Sequence, residues 1–242
     1  ADQMGIFAPV KSALLDERIP ANLRTERWFS FSKRARIIVY NPELVKAEQV
    51  QTYEQLADPV LKGKVCTRSG SHPYYLSLVA AMIKHNGADE TVKWASGLVD
   101  NFARAPKGGD TDQIKSVAAG ECGVAVSNTY YLARLIRSDK VDDRRMMERV
   151  GIVWPNQANR GTHINISGAG MVKTAKNPEA AVKFLEYLAS DEAQRYFADG
   201  NNEWPVVPSV ATNNPALEAM GKFKADELPI GNLARNVAAA QK

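Results

Sequence analysis

The chain has 242 residues, of which 45% are hydrophobic, 24% charged and 8% aromatic. This suits one large or two small globular domains of ~100–200 residues each and excludes wholesale disorder, collagen-like repeats and a small disulfide scaffold. No stretch approaches the ~20 consecutive apolar residues of a membrane span. The 31 Lys and Arg against 27 Asp and Glu leave a net charge of +4. Acids and bases alternate along most of the chain instead of gathering in one patch, so no nucleic-acid partner is expected.

Regular elements alternate from the start. Arg34 to Tyr40 reads as a strand ended by Asn41-Pro42, and Glu43 to Leu56 as largely helical, stopped by Asp58-Pro59. Lys64 to Thr67 reads as a short strand, followed by a polar loop, Arg68-Ser69-Gly70-Ser71-His72-Pro73, and a helix from Tyr74 to about Lys84. Glu90 to Asn101 is a further helix. Asp110 or Thr111 is expected to cap another that runs to Ala119, with Gly120 ending it. Val124 to Ser127 is a strand that enters a helix directly through Asn128-Thr129-Tyr130-Tyr131. Gly151 to Trp154, Ile164 to Ser167 and Gly170 to Lys173 read as strands. Asn177-Pro178 starts a helix, and Ser190 caps the next, Asp191 to Asp199. The alternation predicts an α/β fold. No glycine-rich phosphate loop is present.

Cysteine occurs only at Cys66 and Cys122, outside any Cys-x-x-Cys motif. Two readings stand: one disulfide in an oxidising compartment, contributing ~4 kcal/mol, or two buried thiols. The chain opens on Ala1-Asp2-Gln3-Met4 without a basic, apolar leader, so either a signal was removed or none existed. His72, His85 and His163 are widely spaced and form no zinc-protease pattern. His72 reads as a solvated loop residue or a neighbour of a site at Tyr74, and His163 as structural. Cys66 or Ser71 as a nucleophile would define an enzyme, but no orienting third group is identifiable.

The tyrosines carry the functional signal. Of eight, four form the doublets Tyr74-Tyr75 and Tyr130-Tyr131, each at an expected strand-to-helix junction. Such junctions align at the carboxyl edge of an α/β sheet, where ligands bind. Residues entering a helix stand only ~100° apart around its axis, so adjacent tyrosines can converge on one point. Free phenol has a pKa of ~10, and a hard trivalent cation displaces its proton. Three phenolates neutralise Fe(III), and a small anion can fill a remaining position, held by a helix start or an arginine. The bland alternative, that these are element-end tyrosines with a buried ring and a wet hydroxyl, also stands at this point.

Several segments resemble the bacterial periplasmic ferric-ion-binding proteins, the substrate-binding components of ABC-type iron uptake. They are Lys33-Arg34-Ala35-Arg36-Ile37-Ile38-Val39-Tyr40, Tyr53-Glu54-Gln55-Leu56-Ala57-Asp58-Pro59 with Lys62-Gly63-Lys64, Asn128-Thr129-Tyr130-Tyr131, and Gly161-Thr162-His163-Ile164-Asn165-Ile166-Ser167-Gly168. The likeness runs over essentially the whole chain, and the tyrosine doublet in its Asn-Thr setting is its most specific part.

The resemblance implies a two-lobed, type II periplasmic binding protein fold that carries ferric iron to a membrane permease without catalysis. It implies Tyr130 and Tyr131 as metal ligands, with Tyr74 as a third and Tyr75 as the alternative should the loop be shifted by one. Arg34, or else Arg36, would contact a synergistic anion, typically carbonate, together with the helix start at Ser69 and Ser71. Asp110 and Asn128 fall at cleft positions and receive no stronger role. Family members carry a further amino-terminal segment, so the amino-terminal lobe is expected to be incomplete. It would consist of residues 1–17, 23–36 and 161–211, with 18–22, 37–160 and 212–242 forming the carboxyl-terminal lobe. Hinge crossings are expected near 17–23, 36 and 161, and association through the incomplete lobe is a further expectation. Another small ligand on the same scaffold (a polyamine, thiamine or an organic anion) is the rival reading.

Overall fold

Strand and helix boundaries follow local punctuation, and in the computed structural model, which describes Asp2 and residues 4–241, most fall where the sequence places them. In chain order the elements are α1 (Ala13–Arg18), β1 (Phe29–Tyr40), β2 (Val65–Cys66), α2 (Pro73–Asn86), α3 (Ala88–Asp100), α4 (Asp110–Ala118), β3 (Val124–Asn128), α5 (Thr129–Ile136) and α6 (Val141–Met147). They continue with β4 (Gly151–Val153), β5 (Ile164–Ala169), α7 (Pro178–Leu188), α8 (Asp191–Asn201), β6 (Trp204–Pro205), α9 (Pro215–Ala219) and α10 (Ile230–Ala240). Ser190 caps α8 by accepting from the Ala193 amide, and Pro178 occupies the first turn of α7 after Asn177.

Three expectations fail for local reasons. Residues 43–56 do not form one helix but 3-10 turns at Ala47–Val50 and Glu54–Ala57. Side chains there hydrogen-bond their own backbone: Asn41 Oδ1 accepts from the Glu43 amide, Gln49 Oε1 from that of Lys46, and Thr52 Oγ1 from that of Gln55. Those bonds compete with the helical ladder. The cap of α4 is Gly109, not Asp110 or Thr111; Asp112 accepts from the Gly109 amide, and Asp110 turns inward. Residues 170–173 form no strand, only an isolated bridge between Phe7 and Val172.

The chain divides into two compact units, Ala1–Arg34 with Ile166–Ala219, and Ala35–Asn165 with Met220–Lys242. It passes from one to the other within β1, at 34–35, within β5, at 165–166, and again at 219–220. This differs from the expected division in four places. Residues 35–36 belong to the second unit, where the Ala35 amide donates to Thr129 Oγ1 and Arg36 pairs with Asp110. Residues 18–22 belong to the first unit, because Ile19 is buried and Arg18 Nε donates to the Ala189 carbonyl at 2.7 Å. Residues 212–219 also join it, through Asn214 Nδ2, which donates to the Ala198 carbonyl and to Asn202 Oδ1 at 2.8 Å. Residues 161–165 join the second unit: the Thr162 amide donates to the Lys224 carbonyl, and His163 Nε2 pairs with Ser77 Oγ. Gly161 has a φ of +92°, and a Cβ there would lie 2.7 Å from the Ala225 backbone, so only glycine lets the chain approach so closely.

In the first unit, the early part of β1 pairs antiparallel with β6, Ser32 opposite Pro205 and Lys33 opposite Trp204. Gln194 of α8 bridges this region. Its Nε2 donates to the Phe31 carbonyl and its Oε1 accepts from the Val206 amide. In the second unit the sheet order is β2-β3-β1-β4. β3 runs antiparallel to β1, Arg36 opposite Asn128 and Tyr40 opposite Val124, while β2 runs parallel to β3, Val65 opposite Val124. A core of Ile38, Leu56, Leu61, Leu78, Met82, Trp94, Val124 and Val126 packs between this sheet and helices α2 and α3.

Of the two cysteine readings, the structure shows the disulfide. Cys66 at the end of β2 bonds Cys122 just before β3, with Cα atoms 5.8 Å apart and a sequence separation of 56. Reduction, or paired Cys66→Ser and Cys122→Ser substitution, is expected to lower the unfolding free energy by about 4 kcal/mol, read as a fall in the urea midpoint at unchanged slope.

Candidate metal centre

Two neighbouring parallel strands end at the same edge of a sheet, and each of these two is followed by a helix. β2 leads through residues 67–72 into α2, whose cap is His72 with Pro73 in the first turn; β3 leads straight into α5, with Asn128 at the cap position. His72 Nδ1 accepts from the Tyr74 amide at 3.3 Å, which requires that nitrogen to be unprotonated. Desolvation, then the nearby Arg68 charge, hold the imidazole below its ordinary pKa, in keeping with that role. The histidine expected as a solvated loop residue or a site neighbour is thus the helix cap, and its ring meets that of Tyr74 edge-on at 4.5 Å.

The two helix starts bring three phenols together. The Tyr74 and Tyr130 hydroxyls are 2.9 Å apart, and the Tyr130 and Tyr131 rings lie 4.2 Å apart with a 32° tilt. Burial, then hydrogen bonds to Tyr131 and Tyr74, push the Tyr130 phenol well above its ordinary pKa, so it keeps its proton at neutral pH. Tyr75, the alternative third ligand, instead enters the core, 5% exposed, with its phenol raised by burial and hydrogen-bonded to Thr67. Among the described residues no group of three or more His, Cys, Asp and Glu could hold a metal ion. Clustered phenols are hard oxygen donors suited to a hard, highly charged cation.

Cations surround the rings. The guanidinium carbon of Arg134, one turn into α5, lies 5.1 Å from the Tyr130 ring centroid and 5.8 Å from that of Tyr131. Those of Arg36 and Arg68 lie 5.8 and 5.2 Å from the Tyr74 ring. Arg134 was not singled out from the sequence, although its place four residues after Tyr130 puts it on the same helix face.

The expected anion contacts belong to different units. Ser69 and Ser71 stay on the exposed loop before Tyr74, their hydroxyls 2.8 Å apart. Arg34 belongs to the other unit and donates from Nη1 to Ser167 Oγ at 2.8 Å. Arg36 is not an open anion contact. It is 2% exposed, and its Nη1 is committed to Asp110 Oδ2 at 2.5 Å and to Asn128 Oδ1 at 3.1 Å. The inward face of β1 dictates this, because Arg36 stands opposite Asn128 in the ladder. Cys66 is disulfide-bonded, which removes the thiol nucleophile considered from the sequence.

Tyr53 locks the backbone of this strand. Its hydroxyl donates to the Arg36 carbonyl at 2.6 Å and accepts from the His163 amide at 3.1 Å, and the ring is 1% exposed. His163, read as structural, closes the same junction through Ser77.

The chain is similar to several known proteins. The family described as "Bacterial extracellular solute-binding protein" matches residues 1–225. Iron uptake protein A2 of Synechocystis sp. is 49% identical over 239 residues, 97% of this chain and 69% of that protein. The solved Trichodesmium IdiA (FutA) in complex with iron and citrate ligands superposes with a TM-score of 0.94 at 48% identity, covering 99% of this chain and 76% of its own. The ferric binding protein from Campylobacter jejuni gives the same TM-score at 42% identity, covering 99% and 77%.

Tyr53→Phe removes a hydroxyl that satisfies two buried backbone groups. It is expected to lower stability by about 1–3 kcal/mol in urea unfolding, with far-UV circular dichroism unchanged.

Proposed function

The chain belongs to the bacterial extracellular solute-binding proteins, and on that premise we propose that it captures Fe(III) in the periplasm for an ABC-type permease. The carrying observation is the meeting of the Tyr74, Tyr130 and Tyr131 phenols at one spot. Three phenolates match the charge of Fe(III), so the bound site adds no net charge to a half-buried position. The printed names of the similar proteins, an iron uptake protein and ferric binding proteins, support the same ligand. Capture and release of the ion involve coordination and proton loss alone, so in this reading the protein serves as a carrier. No helix among the described residues is long and apolar enough to cross a membrane.

A small anion completes the metal's shell in this reading. Ser69 and Ser71 on the loop before Tyr74 are its proposed contacts in this unit, and carbonate is the first candidate. Citrate, present with iron in the Trichodesmium protein, is the second.

Two outcomes test the function. Titration with ferric citrate should give a visible phenolate-to-iron absorption band and one bound iron by metal analysis. Tyr130→Phe or Tyr131→Phe should abolish the band, whereas a persistent, unshifted band in both variants would falsify phenolate ligation. Because each phenol must lose its proton to bind, affinity should rise with pH, by about tenfold per unit for each proton displaced. The check is iron competition between pH 5.5 and 8 in a non-coordinating buffer.

A further inference from the structure

One carboxylate connects the two corners that supply the tyrosines. Asp110, the first residue of α4, has no exposed surface. Its Oδ2 accepts from the Asn128 amide at 2.8 Å, directly at the entry to the helix bearing Tyr130 and Tyr131. The same oxygen takes Arg36 Nη1 at 2.5 Å, and Oδ1 takes Arg68 Nη1 at 3.1 Å. Both guanidinium groups lie over the Tyr74 ring, and Arg36 also lies 5.6 Å from that of Tyr75. Arg36 Nε and Nη2 and Arg68 Nε are buried without a hydrogen-bond partner, so the aromatic faces are what these cations have in place of further acceptors. Two buried positive charges beside each other would repel, and a single acid holds them in place.

We propose that Asp110 is a positioning residue for metal capture: anchored at the Asn128 amide, it holds Arg36 and Arg68 against the Tyr74 ring and so sets the Tyr74 hydroxyl against Tyr130. The proposal rests on the reading of Tyr74, Tyr130 and Tyr131 as iron ligands. Asparagine at 110 keeps an oxygen for the Asn128 amide but loses the charge that gathers both guanidinium groups. The damage should therefore pass through Tyr74.

The test is a double-mutant cycle on the full chain with ferric citrate as the iron source. Asp110→Asn alone should weaken iron binding by about 10–100-fold, the usual cost of losing an outer partner of a metal ligand. In the Tyr74→Phe background the same change should weaken it by less than about threefold, because residue 74 no longer ligates. An equal loss in both backgrounds, or no loss in either, overturns the proposal. A second readout needs no iron: in ring-13C-tyrosine spectra of the metal-free protein, Asp110→Asn should shift the Tyr74 signal, assigned through Tyr74→Phe, and leave those of Tyr187 and Tyr196 in place. An unmoved Tyr74 signal overturns the proposal by itself. A wild-type protein that binds no ferric iron overturns the iron reading, and the spectra then decide the positioning role alone. Should Asp110→Asn not fold, Arg68→Gln removes one of the two guanidinium groups at a less buried position, with the same expectations.

Discussion

The parallel pairing of β2 with β3 is the constraint on which the site depends. Parallel neighbours end at one edge, so the helices that follow must both start there. The Cys66–Cys122 bond ties the end of β2 to the chain just before β3. The register of Val65 with Val124 and Cys66 with Ala125 then fixes how far each strand runs before its helix begins. A slip of one residue would turn the side chains of β2 to the opposite face of the sheet.

The electrostatics follow from that placement. A neutral phenol needs no counter-charge, unlike a carboxylate, and can be partly buried at small cost. The surrounding cations, Arg36, Arg68 and Arg134, face ring surfaces, and their charge favours negative groups arriving at this spot. Asp110 offsets part of that excess inside the fold. Arg36 is thereby a structural cation in the second unit, while Arg34, two residues earlier, lies in the first.

Legibility in the sequence varied with how local the deciding interaction is. Helices α7 and α8 are readable because their signals (Pro178 and Ser190) act within a turn of where they stand, and α2 because its apolar residues recur at helical spacing. Residues 43–56 were misread because their apolar content fits a helix, while the side-chain bonds of Asn41, Gln49 and Thr52 favour turns. The placement of 18–22, 161–165 and 212–219 was misjudged because long-range bonds, such as Arg18 to Ala189 and Asn214 to Ala198, decide it. The sequence offers Asp110 or Thr111 as a helix cap, a common use of either residue before an apolar run, and the family resemblance places Asp110 at a cleft position with no stronger role. Its partners Arg36 and Arg68 are distant in sequence and invisible in any local window.

The sequence by itself determined the α/β alternation, the two tyrosine doublets at helix starts and the single pair of cysteines, since these depend on residue type and near-neighbour spacing. Only the tertiary structure decided that Tyr74 and not Tyr75 meets Tyr130, that Arg36 is taken up by Asp110, and that the cysteines are joined. Each of those outcomes depends on strand register and on which face of a strand or helix turns inward. Those are set by the packing of segments far apart along the chain.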